Sequence, residues 1–206
     1  MGEAIIPADG FGRRAHQTRS KIVAAARDLF LVHGYAGTSV SDITDACGIS
    51  RAGFYTYFQD KLEVFAELGR ATYHSGLELA RDFQDLPTPW SAADVSGWLH
   101  RYLVHLDTHG AFIRAATVSG PTDEGFRADA RHTSMKVAAA MGRSLVDRGA
   151  ADTAGPAVLG LVLVSMLEES WQRFRHGTTD PGQEAVLAEL TGILVGLVRN
   201  DATAQR

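Results

Sequence analysis

Three helix-start signals lie close together near the N-terminus of this 206-residue chain. Thr38, Ser50 and Asp60 each offer a side-chain oxygen that can accept a hydrogen bond from the first turn of a helix, as an N-cap residue does. Glu63, three residues after Asp60, completes the pattern of a capping box. Fewer than 25 residues separate the first signal from the last. Such spacing predicts a compact unit of short helices.

A longer helix is predicted before these signals. Apolar residues recur at helical spacing from about Thr18 to His33, and Gly34 then ends the helix. The residues before Thr18 are expected to form a mobile basic arm. We expect the basic side chains of this arm and of the adjoining helix start to assist binding to a polyanion, with a solvated tail as the alternative (Arg13, Arg14, Arg19).

The second and third predicted helices are joined by Cys47, Gly48 and Ile49. Because glycine adopts positive φ without strain, this turn is typical of a helix-turn-helix, although glycine turns also join helices in other all-α proteins. The net charge of the chain is −4, but residues 1–62 contain seven Lys and Arg against six Asp and Glu. This charge distribution permits DNA binding without demonstrating it.

Helical periodicity continues to the C-terminus, and no stretch alternates as a strand would. The fourth helix is predicted to begin at Asp60 and to end near Phe83. The later helices are predicted at residues 92–108, 111–118, 122–148, 153–176 and 181–199, the last with Asp180 as cap and Pro181 in its first turn. The predicted fold is therefore all-α. It consists of a DNA-binding helix-turn-helix domain with a basic arm (1–62) and a helical ligand-binding and dimerisation domain (63–206).

One part of the sequence resembles a known family. The residues concerned follow in order between Thr18 and Phe65: Gly34-Tyr35, Thr38-Ser39-Val40, Ile43, Gly48-Ile49-Ser50, Gly53 to Phe58, and Lys61-Leu62. This pattern resembles the N-terminal domain of the tetracycline-repressor (TetR) family. The resemblance implies a repressor that is released from an inverted-repeat operator by a small molecule. Phe54 and Gln59-Asp60 depart from the residues most frequent in the family, which leaves the preferred base sequence open.

Eight residues are predicted to contact DNA: Thr38, Ser50, Arg51, Gly53, Phe54, Tyr55, Tyr57 and Lys61. Helix N-termini, hydroxyls and ammonium groups bind phosphates well, which suits Thr38, the two tyrosines and Lys61. Arg51 is expected to read a guanine, or alternatively to bind phosphate, and Gly53 to allow close approach of the backbone. The tyrosines could instead be core residues and Lys61 merely solvated, whereas Phe58 is expected to point inward.

No sequence motif of an enzyme, a metal site or a phosphate-binding loop is found, so we expect no catalysis, metal or cofactor. His105 and His109 have the spacing of a helical metal-binding pair, but no acidic or thiol partner is evident, and exposed or core-edge histidines are the more common case. Cys47 is expected to be a small buried residue and not a redox sensor.

The C-terminal part is rich in aromatic and sulfur-containing side chains, which favours an apolar ligand cavity. The residues predicted to bind a small, largely apolar effector are Trp98, Tyr102, Phe112 and Trp171. Since tryptophan and tyrosine usually need a polar partner when buried, they could orient a ligand, although each could equally be a core residue. A helical ligand-binding module or an enzyme without operator binding is the alternative function.

The last two helices are predicted to form a homodimer interface. Leu190, Ile193 and Leu197 share one broad apolar arc, while Gly192 and Gly196 line up on nearly the opposite side. A helix that is apolar on both sides needs partners on both sides.

The longest apolar run, about Thr153 to Leu167, is too short to span a membrane, and the N-terminus does not resemble a secretion signal. The sequence therefore predicts a cytoplasmic protein.

Overall fold

The structure, a computed structural model, describes residues 9–118, 120–176 and 182–198. All regular secondary structure in these ranges is α-helical, as predicted. The helices are α1 (Asp9–His33), α2 (Val40–Cys47), α3 (Arg51–Tyr55), α4 (Lys61–Gln84), α5 (Ala92–Val118), α6 (Glu124–Asp147), α7 (Pro156–His176) and α8 (Gln183–Leu197). None of them is long and apolar enough to cross a membrane.

Helix α1 starts earlier than predicted. It already includes Arg13 and Arg14, so the part of the predicted mobile arm from Asp9 onward is helical instead. The apolar periodicity, which marks only the buried part of a helix, begins later than the helix itself. The buried stripe of α1 is Ile22, Ala26 and Phe30. The helix ends where predicted, at Gly34, whose φ of 70° places it in the left-handed region.

Helix α2 is capped by Ser39, and the prediction of Thr38 as its N-cap is wrong. The Ser39 hydroxyl accepts a hydrogen bond from the Asp42 backbone N–H (3.2 Å), and the Asp42 carboxylate accepts one from the Ser39 N–H (2.7 Å). This pair forms a complete capping box. Both candidates are good caps locally, and Ser39 prevails because Asp42 stands three residues after it.

Helix α3 is capped by Ser50 as predicted, but it ends at Tyr55 and not near Phe58. At the start of α4, the Asp60 carboxylate accepts from the Glu63 N–H (2.8 Å), as predicted. The Glu63 carboxylate reaches back to the Gln59 N–H (2.7 Å), one residue before the position that a standard capping box uses. Both ends of the α3–α4 connection are therefore fixed by side chains.

Helix α5 is continuous, and the predicted break between Thr108 and Ala111 is wrong. Its start agrees with prediction, because Ser91 and Asp94 form a capping box. Gly110 lies within the helix, and a Cβ atom placed on it would lie 2.5 Å from the Trp171 ring. The absence of a side chain at Gly110 leaves room for the Trp171 ring, and the helix continues through this position.

Helices α6 and α7 cross at two glycines. A Cβ atom on Gly142 would lie 1.7 Å from the Pro156 carbonyl oxygen, and one on Gly160 would lie 1.7 Å from the Ala138 carbonyl oxygen. The two backbones are thus in direct contact.

Helix α8 follows with Gly182 as its N-cap, so the predicted start at Pro181 is wrong. Asp180 and Pro181 themselves lie outside the described residues.

The chain divides into two compact units. The first unit comprises the residues up to Arg70 together with Ala111–Thr122, and the second comprises Ala71–Gly110 and the residues from Asp123 onward. These units do not coincide with the predicted division at residue 62, because both α4 and α5 contribute residues to each unit. The first unit has an aromatic core that includes Phe30, Phe54 and Phe65. The second has a core built on Phe83, Trp98 and Leu106 among others.

Candidate nucleic-acid interface

The turn between α2 and α3 is held by backbone hydrogen bonds. Gly48 has φ 67° and donates its N–H to the Asp45 carbonyl (3.3 Å), and the Ile49 N–H donates to the Thr44 carbonyl (3.1 Å). This arrangement closes the end of α2 and reverses the chain. The Ser50 hydroxyl then accepts from the Gly53 N–H (3.0 Å), which caps α3. The geometry of this turn leaves α3 as a short helix with one exposed side.

The exposed side of α3 carries polar and aromatic side chains. Ser50, Arg51 and Thr56 are exposed, and the Tyr55 ring is 51% exposed. Gly53 lies in the middle of this surface, where a Cβ atom would lie 3.2 Å from the Ser50 hydroxyl and would crowd the cap. The guanidinium and phenol groups available here can bind phosphates or base edges. Tyr57, which follows the helix, is half-buried.

The inner side of α3 is formed by Phe54, which is fully buried (0% exposed). The prediction that Phe54 contacts DNA is therefore wrong, because its ring packs 5.9 Å from that of Phe58, measured between ring centroids. Phe58 is also buried, as predicted. Phe54 therefore packs on the buried side of α3 and is not available to a ligand.

Thr38 does not present its hydroxyl to solvent. The residue is only 2% exposed, and its hydroxyl donates to the Gly34 carbonyl (2.8 Å). Its predicted contact with phosphate is contradicted by this burial. Ser39, the actual cap of α2, is exposed and is the residue that sequence reasoning missed. The signal was present in the sequence as a serine followed three residues later by an aspartate.

Lys61 links the start of α4 to the segment before α2. Its ammonium group donates to the Tyr35 and Thr38 carbonyls, both at 2.6 Å, and lies 4.2 Å from the centroid of the Tyr35 ring. Partial burial lowers the pKa of Lys61. Because an ammonium group has three N–H donors, one remains for a phosphate oxygen. Lys61 therefore has a structural role that the sequence did not predict.

Among the four residues predicted to bind an effector, Trp98 and Tyr102 pack against each other, while Trp171 and Phe112 have other partners. Trp98 is fully buried and donates its indole N–H to the Leu79 carbonyl (2.9 Å), so its polar partner is the protein itself. Tyr102 is 3% exposed and packs on Trp98. Trp171 donates its indole N–H to Asp107 (2.8 Å). Phe112 belongs to the first unit, where its ring packs on Phe65.

A polar groove of about 240 Å³ lies in the second unit between α4 and α5. The His105 ring is 8% exposed, and its Nδ1 is 2.8 Å from the Ser75 hydroxyl. Burial, with a smaller contribution from His109, lowers the pKa of His105 to about 4. The groove is lined by Ser75, Glu78, Leu79, Asp82, Arg101, Val104, His105, Thr108 and His109. No group of three or more potential metal-ligating side chains occurs in the described ranges.

A glycine turn between two short helices, a serine-capped third helix with an exposed polar side, and an aromatic core beneath it are the features of a helix-turn-helix domain in the first unit. Residues 22–68 match the family model of bacterial regulatory proteins of the tetR family. The resemblance to the TetR family that the sequence shows is therefore confirmed over this N-terminal segment.

Individual relatives agree with this assignment. The HTH-type transcriptional regulator AcrR of Shigella flexneri is 32% identical over 72 residues, which are 35% of this chain and 34% of that protein. Matches to other curated relatives likewise cover less than half of those proteins. The regulator MbdR from Azoarcus sp. CIB has a similar fold, with a TM-score of 0.71 and 13% identity over 88% of this chain and 99% of that one. AibR, solved with isovaleryl coenzyme A and operator DNA, gives a TM-score of 0.68 and 20% identity over 86% and 98% of the two chains.

Proposed function

We propose that this protein is a cytoplasmic, dimeric transcriptional repressor that binds an inverted-repeat operator and releases it when a small molecule binds the second unit. The observation that carries the proposal is the exposed side of α3, where Arg51 and Tyr55 extend from a helix whose turn, cap and inner side are all fixed. Such a helix is short, so few side chains reach the major groove and phosphate contacts must set its register.

The roles of the exposed residues follow from their chemistry. Arg51 is the proposed base-reading residue, because a guanidinium pairs with guanine through two hydrogen bonds. Tyr55, Tyr57 and the remaining N–H of Lys61 are proposed phosphate contacts. Gly53 allows the backbone close to the DNA, and the exposed Ser39 and Ser50 hydroxyls lie at helix N-termini, where phosphates bind favourably.

The test is operator binding as a function of salt concentration. A selected inverted repeat should bind with a strong salt dependence and more tightly than a random duplex, because several phosphate contacts release counterions. Arg51→Ala should lose about 1–3 kcal/mol of discrimination between the selected base and others. Tyr55→Phe should weaken all sequences alike. Equal affinity of the wild type for selected and random duplexes at physiological salt would contradict the proposal.

Dimerisation is supported by an apolar surface on the second unit. The exposed side chains on α7 include Leu161 (42% exposed) and Val162 (61%), and α8 adds Ile193 (44%). Nothing lies within 4 Å of a Cβ atom placed on Gly192 or Gly196, so this side of α8 is open. Helices with exposed large apolar residues next to small ones can pack closely against a second copy.

The proposed effector binds the second unit. Since Trp98 and Trp171 satisfy their N–H groups within the protein, the predicted apolar pocket around these residues has less support than the groove beside His105. We propose an effector with both an apolar portion and a polar group that this groove can bind. An effector that weakens operator binding must itself bind the operator-bound protein less tightly, by the same factor. Thermal-shift screening followed by titration with and without operator tests this reciprocity, and equal effector affinity in both states would contradict it.

A further inference from the structure

Arg19 on α1 is the centre of a network within the first unit. Its guanidinium forms an ion pair with Glu67 on α4, and the second Glu67 oxygen accepts from Arg70 (2.5 Å). The guanidinium carbon also lies 4.6 Å from the centroid of the Phe58 ring. One side of the guanidinium therefore faces a carboxylate and its plane faces an aromatic ring, an arrangement that lysine could not reproduce.

The Phe58 ring connects this network to helix α3. Phe58 is 1% exposed and lies in the connection between α3 and α4. Its ring packs against Phe54, the residue that supports α3 from below. The Phe58 N–H also donates to the Phe54 carbonyl (3.1 Å). Arg19 thus reaches α4 through Glu67 and reaches α3 through Phe58 and Phe54.

Both members of the ion pair are ionised at neutral pH. Hydrogen bonding to Arg19 lowers the pKa of Glu67 to about 2, and hydrogen bonding to Glu67 raises the pKa of Arg19. The side chains are 35% and 28% exposed, so both are partly shielded from solvent. In this geometry the guanidinium of Arg19 is already committed to protein partners, which differs from the DNA-binding arm residue expected from the sequence.

We infer that Arg19 and Glu67 form a positioning pair that holds α3 at the correct angle to α1 and α4, and that neither residue contacts DNA. The inference rests on the proposed operator binding, since orientation of α3 matters functionally only if α3 reads DNA. Operator affinity then depends on the acidic Glu67 through the position of α3, whereas the charge of Glu67 alone would weaken binding to a polyanion.

The sign of the effect of Glu67→Gln on operator affinity is the first test. If Glu67 acted only through its charge, its removal would leave affinity for a polyanion unchanged or increased. A positioning role predicts that Glu67→Gln weakens binding to the selected operator, by about three- to tenfold. The matched control is Asp28→Asn, which removes the same charge from an exposed ion pair with Arg27 on α1. The control should bind with unchanged or slightly increased affinity.

The salt dependence distinguishes positioning from phosphate contact at Arg19. If Arg19 contacted a phosphate, Arg19→Gln would reduce the slope of log affinity against log salt by about 0.9. We expect reduced affinity with an unchanged slope. The double variant Arg19→Gln/Glu67→Gln should lose no more affinity than either single variant, because the pair acts as a unit. Additive losses, or a reduced slope, would overturn the inference.

A measurement without DNA separates this inference from the proposed function. Hydrogen exchange should be faster at the backbone amides of Tyr57 and Phe58 in Glu67→Gln than in the wild type, while Asp28→Asn should leave it unchanged. Thermal unfolding of each variant verifies that the protein is folded under the assay conditions. If the wild type binds no duplex specifically, the proposed function fails, and faster exchange still supports the pair's effect on the α3–α4 connection. Unchanged exchange at these amides would overturn the inference regardless of DNA binding.

Discussion

His105 illustrates how burial determines the ionisation of a single side chain in this protein. Its pKa of about 4 lies below the usual value near 6.5, because the ring is buried and lies beside His109. The groove around it also contains Glu78, Asp82 and Arg101. A depressed pKa means that the unfolded chain binds a proton more readily than the folded one between these two pH values.

We therefore expect His105 to reduce the stability of the second unit as the pH falls from about 6.5 to about 4, by about 3 kcal/mol. Replacing it in His105→Asn should remove that part of the pH dependence. Denaturant unfolding at several pH values gives the free energy of unfolding of both proteins. If the difference between them does not change across this range, His105 is not protonated differently in the two states.

Glu168 on α7 is expected to have the opposite effect. Burial raises its pKa to about 7, so the folded protein favours the protonated carboxyl group. Its contribution to stability is complete below the unfolded pKa near 4.3 and is lost as the pH rises through about 7. Glu168→Gln should be more stable than the wild type at pH 8, by about 3–4 kcal/mol, and similar to it at pH 4.5. A variant that is less stable than the wild type at pH 8 would show that the charged form has a partner.

At the scale of the elements, the crossing of α6 and α7 depends on glycine. Since a Cβ atom on Gly142 would overlap the Pro156 carbonyl oxygen, Gly142→Ala requires the two helices to separate. We expect a loss of about 3 kcal/mol or more in the free energy of unfolding, or failure to fold. Gly97→Ala on α5 is the matched control, because nothing lies within 4 Å of its Cβ position, and it should stabilise the protein by up to about 1 kcal/mol. Equal stability of Gly142→Ala and Gly97→Ala in thermal or denaturant unfolding would show that the crossing tolerates a methyl group.

The helices themselves were largely predictable because their signals are local. The caps at Ser50 and Asp60 and the stop at Gly34 act through residues a few positions away. The predicted break in α5 was wrong because a distant residue overrides the local signal. Gly110 resembles a helix end in the sequence, but the Trp171 ring occupies the space that a side chain would need.

At the scale of the whole molecule, the open side of α8 allows a test of the proposed dimer. Gly192→Leu adds a side chain into space that is empty in the single chain, so the subunit should still fold. If α7 and α8 pack closely against a second copy, the added side chain should instead shift the protein to monomers at micromolar concentration and abolish operator binding. Analytical ultracentrifugation measures the mass, with Gly97→Leu as a control outside this surface. A Gly192→Leu protein that remains dimeric would exclude close packing of a second copy against this side of α8.

The sequence by itself determined the all-α class, the glycine turn before α3 and the exposed Arg51 and Tyr55, because these depend on short-range periodicity, backbone conformation and capping. Together with the ordered TetR pattern, these features were enough to predict a helix-turn-helix domain that resembles the TetR family.

Only the tertiary structure decided which polar and aromatic side chains remain exposed at the surface. Phe54 and Thr38 lie beside exposed positions in the sequence, yet packing against Phe58 and a hydrogen bond to the Gly34 carbonyl remove them from the surface. Trp98 likewise finds its acceptor on Leu79, on the preceding helix. The partner of a buried polar group is set by which helices pack together, and residues far apart in the sequence make that contact.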